Sequence, residues 1–386
     1  MNIAQIISSM AGGGRELDAV PLVKGFLDKG HNSIIVCRKG SYLDKKALQE
    51  KLPIEYLEMS GYVDIPDIIR LAALLRRRKI DVIHAHWTRD MFNIIPASRL
   101  AGGIPVVLTK HVFSTIVKKD PFHSWAFRNV AHVIAISDLV KYNLLETVPI
   151  NARDITTIYN GIDAAIEWSP GRYKKTLRQE LGETPERKII SMIGRINEGK
   201  GQHLLVEAVA RIAGKYPGLR VVFAGKAEGA AERYYEAALK KRIKSLGLLQ
   251  TFRFLGYRFD IPSIIESSDV VAGCSVFESL GMTLIEGMAM GKAVVGPDTG
   301  AVPEIINDGV NGRMFRYGDT EGLAGILDET LSNEERCSRM GLEARRTALS
   351  KFNISNMVDR VKTIFNAVIR DRSNRQFHGK TTFYDK

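Results

Sequence analysis

Short apolar runs recur along the first part of the chain, at Ile3 to Ser8, Ser33 to Cys37, Val82 to His86, Val106 to Thr109, Val133 to Ile136 and Thr156 to Tyr159. Helical periodicity fills the spaces between them, at Glu16 to Lys29, Ile65 to Arg78, Met91 to Ala101 and Asp138 to Leu145. Strands covered on both faces by crossover helices read as unbroken Ile- and Val-rich runs, so this pattern predicts a doubly wound α/β domain. From Trp168 to about Arg187 the strand signal stops. Pro170-Gly171, the basic Arg172 to Arg178 and Gly182-Glu183-Thr184-Pro185 read there as a connection.

Strand-like runs resume at Ile189 to Ile193, Arg220 to Ala224, Thr251 to Leu255, Val270 to Ala272, Ala293 to Val295 and Gly312 to Phe315. They alternate with helical patterns near Gly201 to Tyr216, Ala231 to Leu246, Ile261 to Ser267, Thr283 to Met290, Val302 to Asn307 and Glu321 to Leu331. Two more helices follow, at Asn333 to Ser350 and Ile354 to Ile369. The fold class is therefore α/β, with two doubly wound, Rossmann-like domains over residues 1–168 and 187–350. A C-terminal helix over 351–370, suited to packing back on the first domain, leads into a polar, mobile tail over 371–386. Two such domains placed face to face form a cleft at the carboxyl ends of their strands, where open α/β sheets bind ligands.

The length of 386 residues fits two domains, and 45% apolar with 25% charged residues excludes collagen-like, low-complexity and disordered chains. No run approaches the roughly 20 apolar residues of a membrane-spanning helix, and Met1 to Gln5 lacks the basic region of a secretory signal, so a cytoplasmic protein is expected. Cys37, Cys274 and Cys337 are far apart, which points to reduced thiols rather than a disulfide or metal framework. A net charge of +12 favours anionic partners, among them membrane surface and phosphorylated substrates. Basic runs such as Arg76-Arg77-Arg78-Lys79 and Lys118-Lys119 also fit solvated faces.

Candidate chemistry lies at strand ends. Gly12, Gly13 and Gly14, followed by Arg15, form a loop that opens a helix, where backbone amides and the helix dipole suit an anion of an acceptor or a phosphate. Leu17 stands where a dinucleotide fingerprint needs its third glycine, and the loop serves equally as a tight turn without ligand. In Gly194-Arg195-Ile196-Asn197-Glu198-Gly199-Lys200-Gly201, two cations on a glycine-containing loop can converge on a diphosphate, or stand as surface charges. The segment Glu278-Ser279-Leu280-Gly281-Met282-Thr283-Leu284-Ile285-Glu286 sets one carboxylate at a strand end and a second one turn into a helix. A phosphate fits the amides from Gly281 through Met282 to Thr283, with Glu286 accepting from ribose hydroxyls and Glu278 from a sugar. Thr283-x-x-Glu286 also satisfies a capping box, in which Glu286 serves only its own helix. His84, His86 and His111 sit at strand ends, a place where a histidine is more often structural than catalytic. With no Asp-x-Asp and no carboxylate cluster, no metal or other cofactor is expected, and the cations must come from side chains.

These residues resemble the retaining glycosyltransferases of family 4, with the GT-B fold. The resemblance runs from Gly12-Gly13-Gly14 through Asp81-Val82-Ile83-His84-Ala85-His86, Thr109-Lys110-His111 and Tyr159-Asn160-Gly161-Ile162-Asp163 to Gly194-Arg195 and Lys200-Gly201, and its most specific mark is the E-x7-E element, Glu278 and Glu286. It implies transfer of a sugar from a nucleotide diphosphate sugar with retention and without a metal. Arg195 and Lys200 would neutralise the leaving diphosphate, Glu286 would hold the ribose, Glu278 the donor sugar, and His111 would lie beside that sugar. The acceptor falls to the first domain, where Lys118-Lys119 with Phe113, Phe122 and Trp125 suit a phosphorylated or lipid-linked saccharide. The expected setting is cell-surface glycan synthesis of lipopolysaccharide type, with peripheral contact to an anionic inner membrane face. A soluble small-molecule acceptor and a sugar-nucleotide epimerase on the same fold are the alternatives. A nucleic-acid binder would leave Arg195, Lys200, Glu278 and Glu286 idle, so no nucleic-acid partner is expected.

Overall fold

The computed structural model of the chain describes residues 1–10, 14–163 and 176–380. They fall into two compact units, Met1–Gly161 with Ile354–Lys386, and Ile162–Asn353. The first unit holds strands β1 (Asn2–Ile7), β2 (Asn32–Cys37), β3 (Ile54–Tyr56), β4 (Val82–Ala85), β5 (Val106–Lys110), β6 (His132–Ala135) and β7 (Ile155–Thr157), all parallel, in the order β3-β2-β1-β4-β5-β6-β7. Helices α1 (Gly14–Asp28), α2 (Tyr42–Gln49), α3 (Ile65–Arg77), α4 (Met91–Leu100), α5 (Pro121–Arg128) and α6 (Asp138–Thr147) make the crossovers. Short polar side chains start several of these helices: Ser41, Asp64 and Ser137 each accept from the amide three residues on, and Asp120 accepts from Phe122 and His123.

The second unit carries six parallel strands, β8 (Ile189–Ile193), β9 (Arg220–Ala224), β10 (Phe252–Gly256), β11 (Val270–Ala272), β12 (Ala293–Pro297) and β13 (Arg313–Phe315), in the order β10-β9-β8-β11-β12-β13. Its helices are α7 (Leu177–Leu181), α8 (Gln202–Ile212), α9 (Ala230–Ser245), α10 (Ile261–Ser267), α11 (Met282–Ala289), α12 (Thr320–Ser332) and α13 (Glu334–Lys351). The main core lies between this sheet and α8, α9, α12 and α13, around Phe223, Phe252, Leu205, Leu327 and Val295. In both sheets the strand order reverses beside the central strand, between β1 and β4 and between β8 and β11. Those two switch points are where loops at the carboxyl ends diverge and leave room for a ligand.

The last helix, α14 (Ile354–Lys380), belongs to the first unit. Val358, Val361 and Phe365 pack there with Ile3, Phe26, Val82 and Ile134, and the Phe365 ring stacks on Phe26 at 5.6 Å. Gly25 lets α1 approach closely, since a Cβ there would stand 2.6 Å from the Val358 side chain.

Several sequence-based boundaries shift. The first unit ends at Gly161 rather than 168, because Ile162 donates to the Phe352 carbonyl at 2.8 Å and so joins the second unit. The region from 371, expected as a mobile tail, is helical as far as Lys380, with no proline to stop it and with Arg372 donating to the Gly102 carbonyl at 2.7 Å; residues 381–386 lie outside the described residues. Inside the expected connection, Thr176 and Gln179 form a capping box that starts α7. The helix expected at Val302 to Asn307 is one 3-10 turn, Val302–Glu304.

Candidate active site

The second unit gathers the residues of the E-x7-E segment at its switch point. After β8 the chain passes Gly194, whose amide donates to the Ala224 carbonyl at 2.9 Å, and then Arg195, before a 3-10 turn over Glu198–Lys200 capped by Asn197. Gly201 ends that turn at φ +74°, and a Cβ on it would stand 2.0 Å from the Cys274 carbonyl oxygen. Glycine is therefore required for the β8 loop to lie against the β11 loop. That contact brings Lys200 Nζ within 2.5 Å of Glu278 Oε1, and Ser275 Oγ donates to the same oxygen at 2.6 Å. Both members of the ion pair are about three-quarters withdrawn from solvent, with side-chain exposures of 31% and 24%.

Arg195 goes elsewhere. Its guanidinium is 63% exposed and stands 3.8 Å from Glu232, whose carboxyl is held below its ordinary range by the Glu228 amide first and by Arg195 as a further charge. Lys200 and Glu278 are thus brought together, while Arg195 stays largely in solvent.

Gly281 begins α11 from the left-handed region at φ +95° and is its N-cap. Met282 and Thr283 then occupy the first turn, where helix geometry leaves their amides without an intrahelical acceptor and the dipole favours negative charge. This corrects the capping-box alternative. Thr283 lies inside the helix rather than at its N-cap, so Glu286 is not the third residue of a box and stands one turn further in, half-buried. Leu284, Ile285 and Met288 bury the opposite side of the helix and fix its start against the sheet.

In the first unit, His86 and His111 follow β4 and β5. His86 Nδ1 lies 3.1 Å from His111 Nε2, and its Nε2 lies 2.8 Å from Gln5 Oε1 on β1. Both rings are buried, His111 to 6% exposure. The Gln5 oxygen can only accept, so His86 donates from Nε2, and its Nδ1 accepts a hydrogen bond from His111 Nε2–H when both rings are neutral. His84 lies inside β4 rather than at its end and is structural, as such histidines more often are: it is wholly buried, bonded to Thr109 at 2.7 Å and edge-on to Phe365 at 5.3 Å. Burial pushes its imidazole well below the ordinary histidine range, so it is a neutral core residue. Asp90 braces the end of β1, accepting from the Ser8 amide at 2.9 Å and the Ser8 hydroxyl at 2.5 Å. His86 and His111 line a pocket of about 200 Å³.

Of the glycine loop, Gly12 and Gly13 lie outside the described residues; Gly14 is the first residue of α1 and Arg15 the second, with its side chain outside the described part. Ser275, Gln5 and Arg89 take part in these two sites without having been singled out by sequence. A lone serine in Gly-Cys-Ser-Val carries no spacing signal, and Gln5 inside a strand reads as a plain interruption. Among the described residues, no three His, Cys, Asp or Glu side chains gather as a group able to hold a metal ion.

Comparison with known proteins gives the arrangement its relatives. Residues 12–166 match the family model described as Glycosyltransferase Family 4, and residues 173–347 match the one described as Glycosyl transferases group 1. EpsD of Bacillus subtilis (strain 168), which carries a glycosyltransferase name, is 34% identical over 311 residues, covering 77% of this chain and 79% of that protein. N-acetyl-alpha-D-glucosaminyl L-malate synthase of Bacillus anthracis is 26% identical over 312 residues, 79% of each chain. The crystal structure of Anabaena HepE in complex with UDP and glucose superposes with a TM-score of 0.81 at 24% identity, over 95% of this chain and 100% of that one. With the fold, the strand-end loops and a relative above 30% identity in agreement, the chain belongs to the group 1, family 4 glycosyltransferases of GT-B fold, enzymes that transfer sugar from a nucleotide sugar.

Proposed function

We propose that the chain is a retaining, metal-independent hexosyltransferase that moves a sugar from a nucleotide diphosphate sugar to a saccharide acceptor in the synthesis of a cell-surface glycan of lipopolysaccharide type. The observation that carries this reading is the Lys200–Glu278–Ser275 group beside the helix start at Gly281. In the proposed complex the diphosphate rests on the amides of Met282 and Thr283, and Lys200 approaches it from the β8 loop. As the bond from the sugar carbon to the phosphate oxygen breaks, negative charge grows on the leaving diphosphate, where the ammonium and the helix dipole stabilise it. Ser275 and Lys200 both hold one oxygen of Glu278, which leaves the other to accept from a sugar hydroxyl. Glu286, one turn into α11, takes the ribose.

Metal independence is supported by the placing of a lysine where a divalent ion would otherwise offset the charge, and retention by the Glu278–Glu286 spacing of the family. The net charge of +12 supports work at an anionic inner membrane face from the cytoplasmic side. Among the described residues no helix is long and apolar enough to cross a membrane.

The test incubates the chain with a panel of nucleotide sugars in excess EDTA, UDP-sugars first because HepE was solved with UDP and glucose. Proton NMR of the product reads the anomeric configuration. Turnover in EDTA with the donor's configuration kept is the expected result. Activity that returns only with added magnesium or manganese ends the metal-independent reading, and an inverted product ends the retaining one.

A further inference from the structure

The pocket beside His86 and His111 has a lining that the donor chemistry does not use. Arg89, Lys110 and Lys118 stand in its wall with the rings of Tyr62, Trp87 and Phe92. His86, His111 and His123 line it too, and no carboxylate does among the described residues. Asp120, outside the wall, is paired with His123 at 2.6 Å. Lys110 is the last residue of β5 and is only 8% exposed.

Arg89 is fixed in place. Its guanidinium carbon lies 5.1 Å from the Trp87 ring centre and 5.6 Å from that of Tyr62, and a terminal nitrogen donates to the Ser60 carbonyl. Its buried Nε has no hydrogen-bond partner among the described residues. A buried, unsatisfied guanidinium donor is costly unless an acceptor completes it. Two cations in one concave wall, Arg89 and Lys118, repel each other and jointly favour an anion.

We propose that this pocket binds a phosphate ester or diphosphate group of the sugar acceptor, with the adjoining sugar lying against the aromatic wall. The inference rests on the glycosyltransferase reading only in calling the ligand an acceptor; the site itself stands on the first unit's geometry. A volume of about 200 Å³ is smaller than the roughly 300–1,000 Å³ of sites that enclose a whole small ligand. The pocket therefore takes one phosphorylated end and leaves the rest of the acceptor outside. Arg89 supplies planar, directional donors and Lys118 a mobile point charge, a division suited to a phosphate approached from one side.

The phosphate can belong to a soluble sugar phosphate or to a lipid-linked sugar diphosphate, and calorimetry with probes of both kinds separates them. The full chain is first titrated with UDP, then with glucose, inorganic phosphate, glucose 1-phosphate and farnesyl diphosphate at about 0.1 M salt. A phosphorylated probe is expected to bind at one site in the presence of UDP, with glucose at least about tenfold weaker. The double change Arg89→Gln with Lys118→Gln should weaken that probe about tenfold or more, while Lys241→Gln with Lys244→Gln, a matched loss of charge on exposed α9, leaves it unchanged. If removing the Arg89–Ser60 bond unfolds the double variant by circular dichroism, Lys118→Gln alone must still weaken the probe about threefold. Preference for farnesyl diphosphate identifies a lipid-linked acceptor, and preference for glucose 1-phosphate a soluble one. Failure of every phosphorylated probe, equal binding of glucose, or full affinity in the Arg89 and Lys118 variants overturns the proposal. Failure of UDP to bind counts against the donor reading alone, because it is measured before any phosphate is added.

Discussion

Lys200 and Arg195 bring the same charge to the same loop, yet only one of them is held. Lys200 is anchored by Glu278 at 2.5 Å, whereas Arg195 is mostly solvated and 3.8 Å from its nearest carboxylate. A preorganised cation acts at full strength on a developing anion, while an exposed one gives back part of its effect as side-chain ordering and screening. Lys200→Ala should therefore lower kcat by about 100- to 1,000-fold, and Arg195→Ala by about tenfold or less, at saturating donor. Equal losses would mean that the two converge after all when the donor is bound. Glu286→Gln is predicted to raise the donor KM while leaving the melting temperature nearly unchanged, since Gln keeps the side chain's length and hydrogen-bonding capacity. A fall in melting temperature with unchanged KM would make Glu286 structural. At this scale the two loops that meet, one holding Lys200 and one holding Glu278, were legible as glycine-containing strand ends. Their partnership was not, because 78 residues separate them and nothing local encodes which carboxylate a lysine meets. The alternative of a capping box at Thr283-x-x-Glu286 fails for a different reason: Gly281, two residues earlier, reaches a backbone region that threonine rarely adopts and takes the cap.

Among the elements, α14 carries the clearest energetic weight. Phe365 is fully buried, stacked on Phe26 and edge-on to His84, so Phe365→Ala removes a ring from a contact made by three separate parts of the first unit. A loss of about 3–5 kcal/mol is expected from lost burial and the cavity left behind. Urea unfolding checks it, and a change below about 1 kcal/mol would show that the core collapses around the gap. The same contact explains why His84 could not be placed from sequence: the helix that covers it comes from the far end of the chain. The central strands were legible as continuous apolar runs, while β3 was missed because it has only three residues, half-buried or exposed, at the sheet edge. For α5 the start signal Asp120-Pro121 was present, but its aromatic residues, Phe122 on Phe92 at 3.8 Å among them, drew attention to ligand stacking instead of helix packing.

For the whole molecule, histidines wholly or partly withdrawn from solvent set the response to acid. His31, His84, His132 and His203 are all held below the ordinary value of 6.5, each chiefly by burial. Above that value neither the folded nor the unfolded chain protonates them. As pH falls through 6.5, the unfolded chain takes up protons that the folded chain refuses, so stability is full above this point and declines below it. For His84 alone the decline approaches about 1.4 kcal/mol per pH unit once the unfolded residue is protonated. Urea midpoints at about pH 7.5, 6.5 and 5.5 should fall in that order, and a His84→Gln variant should show a shallower fall. A midpoint that holds steady down to about pH 5.5 would mean that these rings are reached by solvent.

Because α14 belongs to the first unit, residues 162–353 sit in the sequence as an insertion between two pieces of one fold. On the ribosome the second unit is therefore exposed and free to fold while the first still lacks a wall of its core, the face of β1, β4 and α1 that Val358, Val361 and Phe365 later cover. A chain cut short just before Ile354 would keep an intact second unit and leave an open apolar surface on the first. Premature stops near the end of the reading frame should consequently be cleared as misfolded protein rather than persist as half-active enzyme.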